Sequence, residues 1–276
     1  MVGPIDISIR RATPADKRAV NEICRHIWRG NDYVPEVFDE WVRDRRGGLW
    51  LATIHRRPIG VAKLTLLGDH EAWLHGLRVH PRFRRRGAAR ALIAHRVARA
   101  KKVGARVARL DTTDDNYPIH RLMRALGFRR AGRFTAFGAN ARVGEAPERA
   151  QARDLPRLWR LARHSGSLLN EMFVQRRISR ADLERDVRAG RCLVDNADAP
   201  GALAIVQPYE DVLRTRHLAG SGRALRQLLC ALRAEAKRRG KRSIRMSAPS
   251  SRWPDLRAAG YRPVWSDSMF LFEKRL

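Results

Sequence analysis

The stretch Leu77-Arg78-Val79-His80-Pro81-Arg82-Phe83-Arg84-Arg85-Arg86-Gly87-Ala88-Ala89-Arg90 carries residue types and spacings that fit one chemistry, the holding of phosphate. It joins the end of an apolar strand to the start of a helix through a basic turn. Small residues at Gly87, Ala88 and Ala89 let the backbone pass close to an anion. The first N–H groups of the following helix have no intrahelical acceptor and point at it, and Arg84, Arg85, Arg86 and Arg90 add charge.

Such a loop has to be weighed against the charge of the whole chain, 57 Lys+Arg against 28 Asp+Glu, a net +29 over 276 residues. The excess is even, 31 − 15 = +16 over residues 1–150 and 26 − 13 = +13 over 151–276. Only seven of the bases are Lys, which leaves 57 − 7 = 50 Arg. A spread, Arg-heavy charge reads as compositional background. It would attract phosphates in any form, so it admits a nucleic-acid partner without requiring one. At 44% hydrophobic the chain can build a core, which excludes a disordered chain. No apolar run approaches the ~18–20 residues of a membrane span. The start, Met1-Val2-Gly3-Pro4-Ile5-Asp6, lacks the basic and apolar blocks of a signal peptide. Cys24, Cys192 and Cys230 are odd in number and far apart, with no metal-site spacing, so they read as small buried hydrophobes in a reduced, cytoplasmic setting and no metal is expected.

The elements that position the loop follow from periodicity and punctuation. Ile5, Ile7 and Ile9 alternate as a strand. Thr13-Pro14-Ala15-Asp16 opens a helix through about Trp28, and a second helix runs Val34 to Arg46. Leu49 to Ile54 and Ile59 to Leu66 form a hairpin, Trp73 to Val79 is the next strand, and Ala88, Leu92, Ile93, Val97 and Ala100 mark a helix capped at Gly104. Val107 to Thr112, a short helix Asn116 to Leu126 and Phe128 to Phe137 follow. The order implies a mixed α/β sheet flanked by helices. Gly138 to Ala150 lacks periodicity and reads as a linker. Beyond it come helices at Leu155–Arg163 and Arg180–Ala189, strands at Cys192–Asp195 and Ala202–Gln207, a helix from Gly222, and strands at Ser243–Ser247 and Met269–Phe272. Arg124-Ala125-Leu126-Gly127-Phe128-Arg129 is echoed by Arg257-Ala258-Ala259-Gly260-Tyr261-Arg262, and Arg90-Ala91-Leu92 by Arg223-Ala224-Leu225. The separations agree, 127 − 90 = 37 and 260 − 223 = 37. Two tandem copies of one fold are expected, at residues 5–140 and 148–276.

Arg84-x-x-Gly87-x-Ala89, preceded by Leu77-x-Val79 and followed by Asn116 and Leu126-Gly127-Phe128, resembles the GNAT superfamily of acetyl-CoA-dependent N-acetyltransferases. The resemblance implies a GNAT fold over residues 5–137. In it residues 84–90 would hold the pyrophosphate of acetyl-CoA, the strand Leu77, Arg78 and Val79 would pair with the pantetheine arm, and Asn116 would contact that arm. The second half resembles a degenerate copy, since its loop Ala219-Gly220-Ser221-Gly222-Arg223 lacks the motif and no residue matches Asn116. Asp32-Tyr33-Val34-Pro35 with Phe38 and Trp41 is similar to the histidine N-acetyltransferase branch, which implies a free amino acid or other small amine as acceptor.

Direct transfer in a ternary complex asks for a base, donors aimed at the acetyl oxygen and an acid for the thiolate. Backbone N–H near Arg78 or Val79 is the expected donor. His75 is the expected base, with Glu71 on the same strand face as runner-up and Asp111 and Asp114 behind it. Members of the superfamily often carry Tyr four residues before the closing Gly-Phe, where this chain has Met123; Tyr117 on the same helix is the alternative acid. Trp28, Asp32, Tyr33 and Trp41 are expected to line the acceptor pocket, with Asp32 facing an ammonium or imidazolium. Two other functions remain open: a protein N-alpha or lysine acetyltransferase, and a non-catalytic basic module of the same fold that binds nucleic acid.

Overall fold

The computed structural model describes residues 6–276 except 69, 166–167 and 172–173; Ile5 and the start of the chain lie outside the described residues. The chain divides into two compact units. Unit 1 is Met1–Thr112, Asn116–Ala131 and Leu271–Leu276, and unit 2 is Thr113–Asp115 and Gly132–Phe270.

Unit 1 opens with β1 (Ser8–Arg11), a 3-10 turn at Pro14–Asp16, α1 (Lys17–Cys24) and α2 (Val34–Arg43). Thr13 and Asp16 form a reciprocal capping box, and Arg10 clasps the Asp16 carboxylate at 2.6 Å. The first helix is shorter than the predicted stretch to Trp28, because the chain passes into a second 3-10 turn at Trp28–Gly30. β2 (Gly48–Ile54), β3 (Arg57–Leu67) and β4 (Glu71–Val79) form an antiparallel meander. α3 (Ala88–Lys102), β5 (Val107–Thr113) and α4 (Tyr117–Ala125) follow, then β6 (Arg129–Asn140). The apolar face of α1 and α2, with Val20, Ile23, Phe38 and Trp41, packs on Leu49, Leu51 and Val61; α3 lays Ala88 and Leu92 on Ala52, Ile59 and Ala62. Burial of both sheet faces gives the near-continuous apolar β2 and β3.

Unit 2 contains β7 (Glu148–Arg149), α5 (Leu155–His164), β8 (Leu169–Glu171), β9 (Val174–Arg176), α6 (Arg180–Arg188), β10 (Cys192–Val194), β11 (Leu203–Tyr209), β12 (Val212–Ala219), α7 (Gly222–Arg238), β13 (Ser243–Pro249), α8 (Trp253–Ala258) and β14 (Arg262–Pro263). Its strand order is β6-β13-β12-β11-β10-β7, with α5 and α6 on one apolar cluster and α7 and α8 on another. The plan repeats that of unit 1: a Gln151/Asp154 capping box and 3-10 turn before the first helix, a meander, then a long helix between two parallel strands. Two copies of one plan in tandem are therefore present. β12 was missed by the periodicity reading, because Arg214 and Arg216 interrupt it and Arg216 is charge-paired below the surface.

The units do not break at the expected linker. Gly138 to Asn140 is still β6, paired with Arg245, Ile244 and Ser243 of β13. The last strand, β15 (Met269–Arg275), was expected to close the second copy; instead its part from Leu271 belongs to unit 1, beside β5. Charge explains its seat. Arg109, 3% exposed at its side chain, holds Glu71 at 2.7 Å and Glu273 at 2.8 Å, and Glu273 also takes Arg129 at 2.9 Å. Lys274 Nζ donates to Leu126 O. Removing a partner from a buried pair costs about 3–5 kcal/mol. Since Arg109 keeps Glu71, Glu273→Ala is expected to cost about 3 kcal/mol in equilibrium urea unfolding followed on unit 1. A loss below about 1 kcal/mol would mean that Glu71 alone satisfies Arg109.

Candidate active site

The site forms where β4 leaves β5. The two strands pair in parallel only at Glu71–Val107, Ala72–Ala108 and Trp73–Arg109, so from Leu74 onward β4 has no ladder on that side. On the other side the register with β3 slips. Val61 faces Arg78 and Lys63 faces His75, so Ala62 alone opposes Gly76 and Leu77. This is a β-bulge with Gly76 in the left-handed region, φ +62°. A Cβ at Gly76 would come within 2.6 Å of the Trp41 ring, so only glycine fits.

The bulge turns the strand's amides. His80 N donates to Ile59 O across the β3 edge. Alternation in an antiparallel ladder then sends the Arg78 amide toward β3 and the Val79 amide away from it, into the gap where β5 has parted. The Val79 carbonyl faces the same way and accepts from Arg84 Nε at 3.3 Å. Of the two positions expected to supply a donor, Arg78 and Val79, the register puts the Val79 amide on the open edge.

The chain then crosses Pro81–Phe83 into the loop. Arg85 (φ +61°) and Gly87 (φ +92°) both take left-handed conformations, and Gly87 caps α3 without a side-chain acceptor, leaving the amides of Ala88, Ala89 and Arg90 as orphan donors. Arg84, Arg85, Arg86 and Arg90 are exposed, and among the described residues none of them is ion-paired. Acetyl-CoA's pyrophosphate fits this cradle of donors. Asn116 caps α4 and donates Nδ2 to Thr112 Oγ1 at 2.9 Å.

Beyond the bulge the acceptor candidates meet as expected in one respect and differ in another. Trp28, 61% exposed and held at φ +44°, lies parallel to Tyr33 at 6.4 Å; Tyr33 meets Trp41 edge-on at 5.9 Å, and Trp41 meets His75 at 4.7 Å. Asp32, expected to hold a cationic group, is buried and already paired: Arg78 Nε and Nη2 bind its two oxygens at 2.6 and 3.0 Å. The Arg78 guanidinium also covers the Trp28 ring at 4.6 Å. The role expected of Asp32 is corrected to that of an internal counter-ion.

His75 also departs from its expected role. Nε2 shares a 2.8 Å hydrogen bond with Thr65 Oγ1, and Nδ1 is sealed from solvent with no partner. Burial, with Lys63, Arg96 and Arg78 nearby, pushes its pKa down to about 3. A neutral imidazole that resists protonation is a poor base at neutral pH. Glu71 sits at the paired end of β4, about 20 Å along the strand from Arg78 at ~3.3 Å per residue, and binds Arg109. Asp114 binds Arg133 at 2.8 Å, while Asp111 acts by charge on Tyr33, whose hydroxyl is pushed up chiefly by burial. Met123 is fully buried and Tyr117 is 66% exposed, its ring against His120. Cys24 and Cys192 are buried, and burial pushes both thiols up to about 12. Glu22, His26 and His80 bring three ligand-type atoms within 4.8 Å of one another, but Glu22 is bound to Arg25 and His80 Nδ1 accepts from the Arg82 amide.

Two further residues of the site escaped the sequence reading. Lys63, buried in the middle of β3, is paired with Asp44 and bonded to Leu64 O. Arg96, on the apolar face of α3 between Leu92 and Ala100, is 1% exposed; a base at a position whose helical neighbours are apolar was the available signal.

Residues 18–128 match the model of the Acetyltransferase (GNAT) family. The chain is 28% identical over 139 residues to the aminoglycoside N(6')-acetyltransferase type 1 of Stenotrophomonas maltophilia, covering 47% of this chain and 91% of that protein. A GCN5-related N-acetyltransferase from Sphaerobacter thermophilus superposes with TM-score 0.66 at 15% identity, covering 98% of this chain and 95% of its own. A tandem GNAT protein from the clavulanic acid biosynthesis pathway gives 0.55 at 16%, covering 98% of both. These two structures speak to the fold alone. Replacing Arg84, Arg85 and Arg86 together by Ala is expected to weaken coenzyme A binding tenfold or more, about 1.4 kcal/mol, in low-salt calorimetry, and to flatten its salt dependence. Unchanged affinity would place the phosphates elsewhere.

Proposed function

We propose that the chain is an acetyl-CoA-dependent N-acetyltransferase of the GNAT type, supported by the family match over residues 18–128 and by the Stenotrophomonas relative, and that unit 1 is the catalytic unit and acetylates a small primary amine, a free amino acid of the histidine type above all. The observation that carries this reading is the bulged edge of β4, which presents the Val79 amide in the gap beside the arginine loop. Acetyl-CoA supplies the thioester: the amine nitrogen bonds to its carbonyl carbon, the C–S bond breaks with its electron pair leaving on sulfur, and the nitrogen gives up a proton.

The chain's own groups act by placement and charge. The Val79 amide is positioned to donate to the acetyl oxygen as negative charge grows there, with no reorganisation needed. Burial above all, with Lys63, Arg96 and Arg78 nearby, keeps His75 neutral; an amine bound beside it meets the same surroundings, which favour the neutral, nucleophilic form over ammonium. The amine then needs no strong base, and its proton passes to water. A thiol pKa of ~8.5 lets the departing sulfur manage with solvent or with the exposed Tyr117 as acid.

The acceptor reading follows from the wall. Trp28 offers an exposed aromatic face with Tyr33 stacked against it, Trp41 is buried behind Tyr33, and the Arg78 guanidinium, paired with Asp32, lies over the Trp28 ring. An amine that carries a flat ring complements that wall. An aminoglycoside, the acceptor in the Stenotrophomonas relative's name, is a polycation and would meet Asp32 and Asp44 already paired.

Thiol release from acetyl-CoA with a panel of amino acids, polyamines, aminoglycosides and peptides tests the reading. Turnover fastest with histidine-like amino acids is expected. Peptides as the best acceptors would move the function to protein acetylation, and no turnover together with salt-sensitive DNA binding would leave a binding module. In the active panel member, His75→Gln is expected to keep kcat within about tenfold, short of the ~10²–10⁴ of a lost general base. Its pH–rate profile should match that of the native protein, rising with the acceptor amine and showing no inflexion near 6.5.

A further inference from the structure

Arg96 is a buried cation of unit 1 whose hydrogen bonds the preceding chemistry does not use. It projects from α3 under the sheet and is 1% exposed, and among the described residues it has no carboxylate partner. Burying a guanidinium is costly, and Leu or Met would fill the same apolar stripe, between Leu92, Ile93 and Ala100, without that cost. Burial lowers its pKa to about 9, which still leaves the group charged at neutral pH.

Its hydrogen bonds show what the charge is set against. Nε donates to Leu92 O at 3.1 Å within the helix. Nη1 donates to Lys63 O at 2.8 Å on β3 and to His75 O at 3.2 Å on β4. Lys63 and His75 are facing residues, the last matched pair before the register slips at Gly76 and Leu77. One nitrogen therefore ties both strands together at the root of the bulge, while the other end of the guanidinium is anchored in α3, whose N-terminus carries the arginine loop.

We propose that Arg96 is the positioning residue of the acetyl-transfer site, a clamp that fixes the β4 bulge to α3 and so sets the Val79 amide relative to the phosphate loop. This rests on the acetyltransferase reading of unit 1. A planar guanidinium reaches three carbonyls in two directions from one rigid fork; an ammonium on a flexible stem cannot hold the same set. Misplacement by about 1 Å of a group aimed at the reacting atoms can cost on the order of a hundredfold in rate. The clamp therefore acts on chemistry more than on binding.

The test uses the full chain with Arg96→Lys, Arg96→Gln and Arg96→Ala. Arg96→Lys is expected to lower kcat about a hundredfold while KM for acetyl-CoA and coenzyme A affinity stay within threefold. Amide hydrogen exchange should quicken at residues 75–79 and remain native in β2 and α4. Added guanidinium should restore a tenfold or larger part of the loss in Arg96→Ala, which a merely structural residue would not allow. Arg96→Gln, which keeps a donor and loses the charge, should exchange more slowly than Arg96→Lys at residues 75–79. Unchanged exchange there in a variant that binds coenzyme A normally would overturn the clamp. An opened strand with kcat within threefold of native would overturn its role in the reaction. If the native chain turns over no amine, the acetyltransferase reading fails, and the exchange experiment still decides whether Arg96 holds the bulge.

Discussion

One irregularity in a strand organises unit 1. The extra residue at Gly76–Leu77 bends β4, ends its pairing with β5 after Trp73, and rotates the amide of Val79 onto an open edge. A regular strand at this position would extend the parallel ladder and consume that amide. Every other feature of the site is placed with respect to the bulge. Trp41 packs where a Cβ on Gly76 would lie, His75 and Lys63 flank the slip, and Arg96 bonds to both of their carbonyls. The arginine loop follows directly from the strand the bulge redirects. The glycine is thus a steric condition for the aromatic wall as well as a conformational one.

Charge in this protein is sorted more finely than a net +29 suggests. Arg109 and Lys63 are buried and Arg78 half-buried, and they are occupied by Glu71 and Glu273, by Asp44 and by Asp32. Arg96 is buried and spent on carbonyls. Arg84, Arg85, Arg86 and Arg90 are exposed and stand at helix donors that have no acceptor. The inner set builds a positive potential around a neutral histidine; the outer set faces solvent, where phosphate would approach. The same residue type performs both tasks because a guanidinium serves equally as a buried fork and as a surface cation. In unit 2, Arg176, Arg191 and Arg216 are likewise occupied by Glu171, Asp182 and Asp186, and the loop before α7 keeps only its glycines and Arg223.

Much of this was legible in the sequence. The alternation of Ile7 and Ile9, the Thr13/Asp16 cap, the hairpin and the periodic face of α3 are local signals, and the structure follows them. The turn from Arg84 into α3 was legible because its glycine and small residues stand together where the chain must change direction. What escaped was non-local. Nothing near Asp32 announces that Arg78, 46 residues on, will neutralise it, and nothing in Met269–Arg275 announces that this strand closes unit 1 and not unit 2. A bulge leaves no periodic trace beyond one glycine, and its clamp looks like one arginine among fifty. His75 was misread for the same reason. The slip at Gly76 and Leu77 breaks the alternation that would put it on one face with Leu77 and Val79, and its basicity is lost to burial, with Lys63, Arg96 and Arg78 around it.

We propose that acetyl-CoA is held by unit 1 at the parted edge of β4. Amide-resolved NMR during a titration with coenzyme A tests it most directly. A cofactor seated there shifts Val79 and Gly87 through Arg90 and leaves the amides of Gly220 through Arg223 unmoved. Shifts confined to Gly220 through Arg223, with Val79 silent, would contradict it.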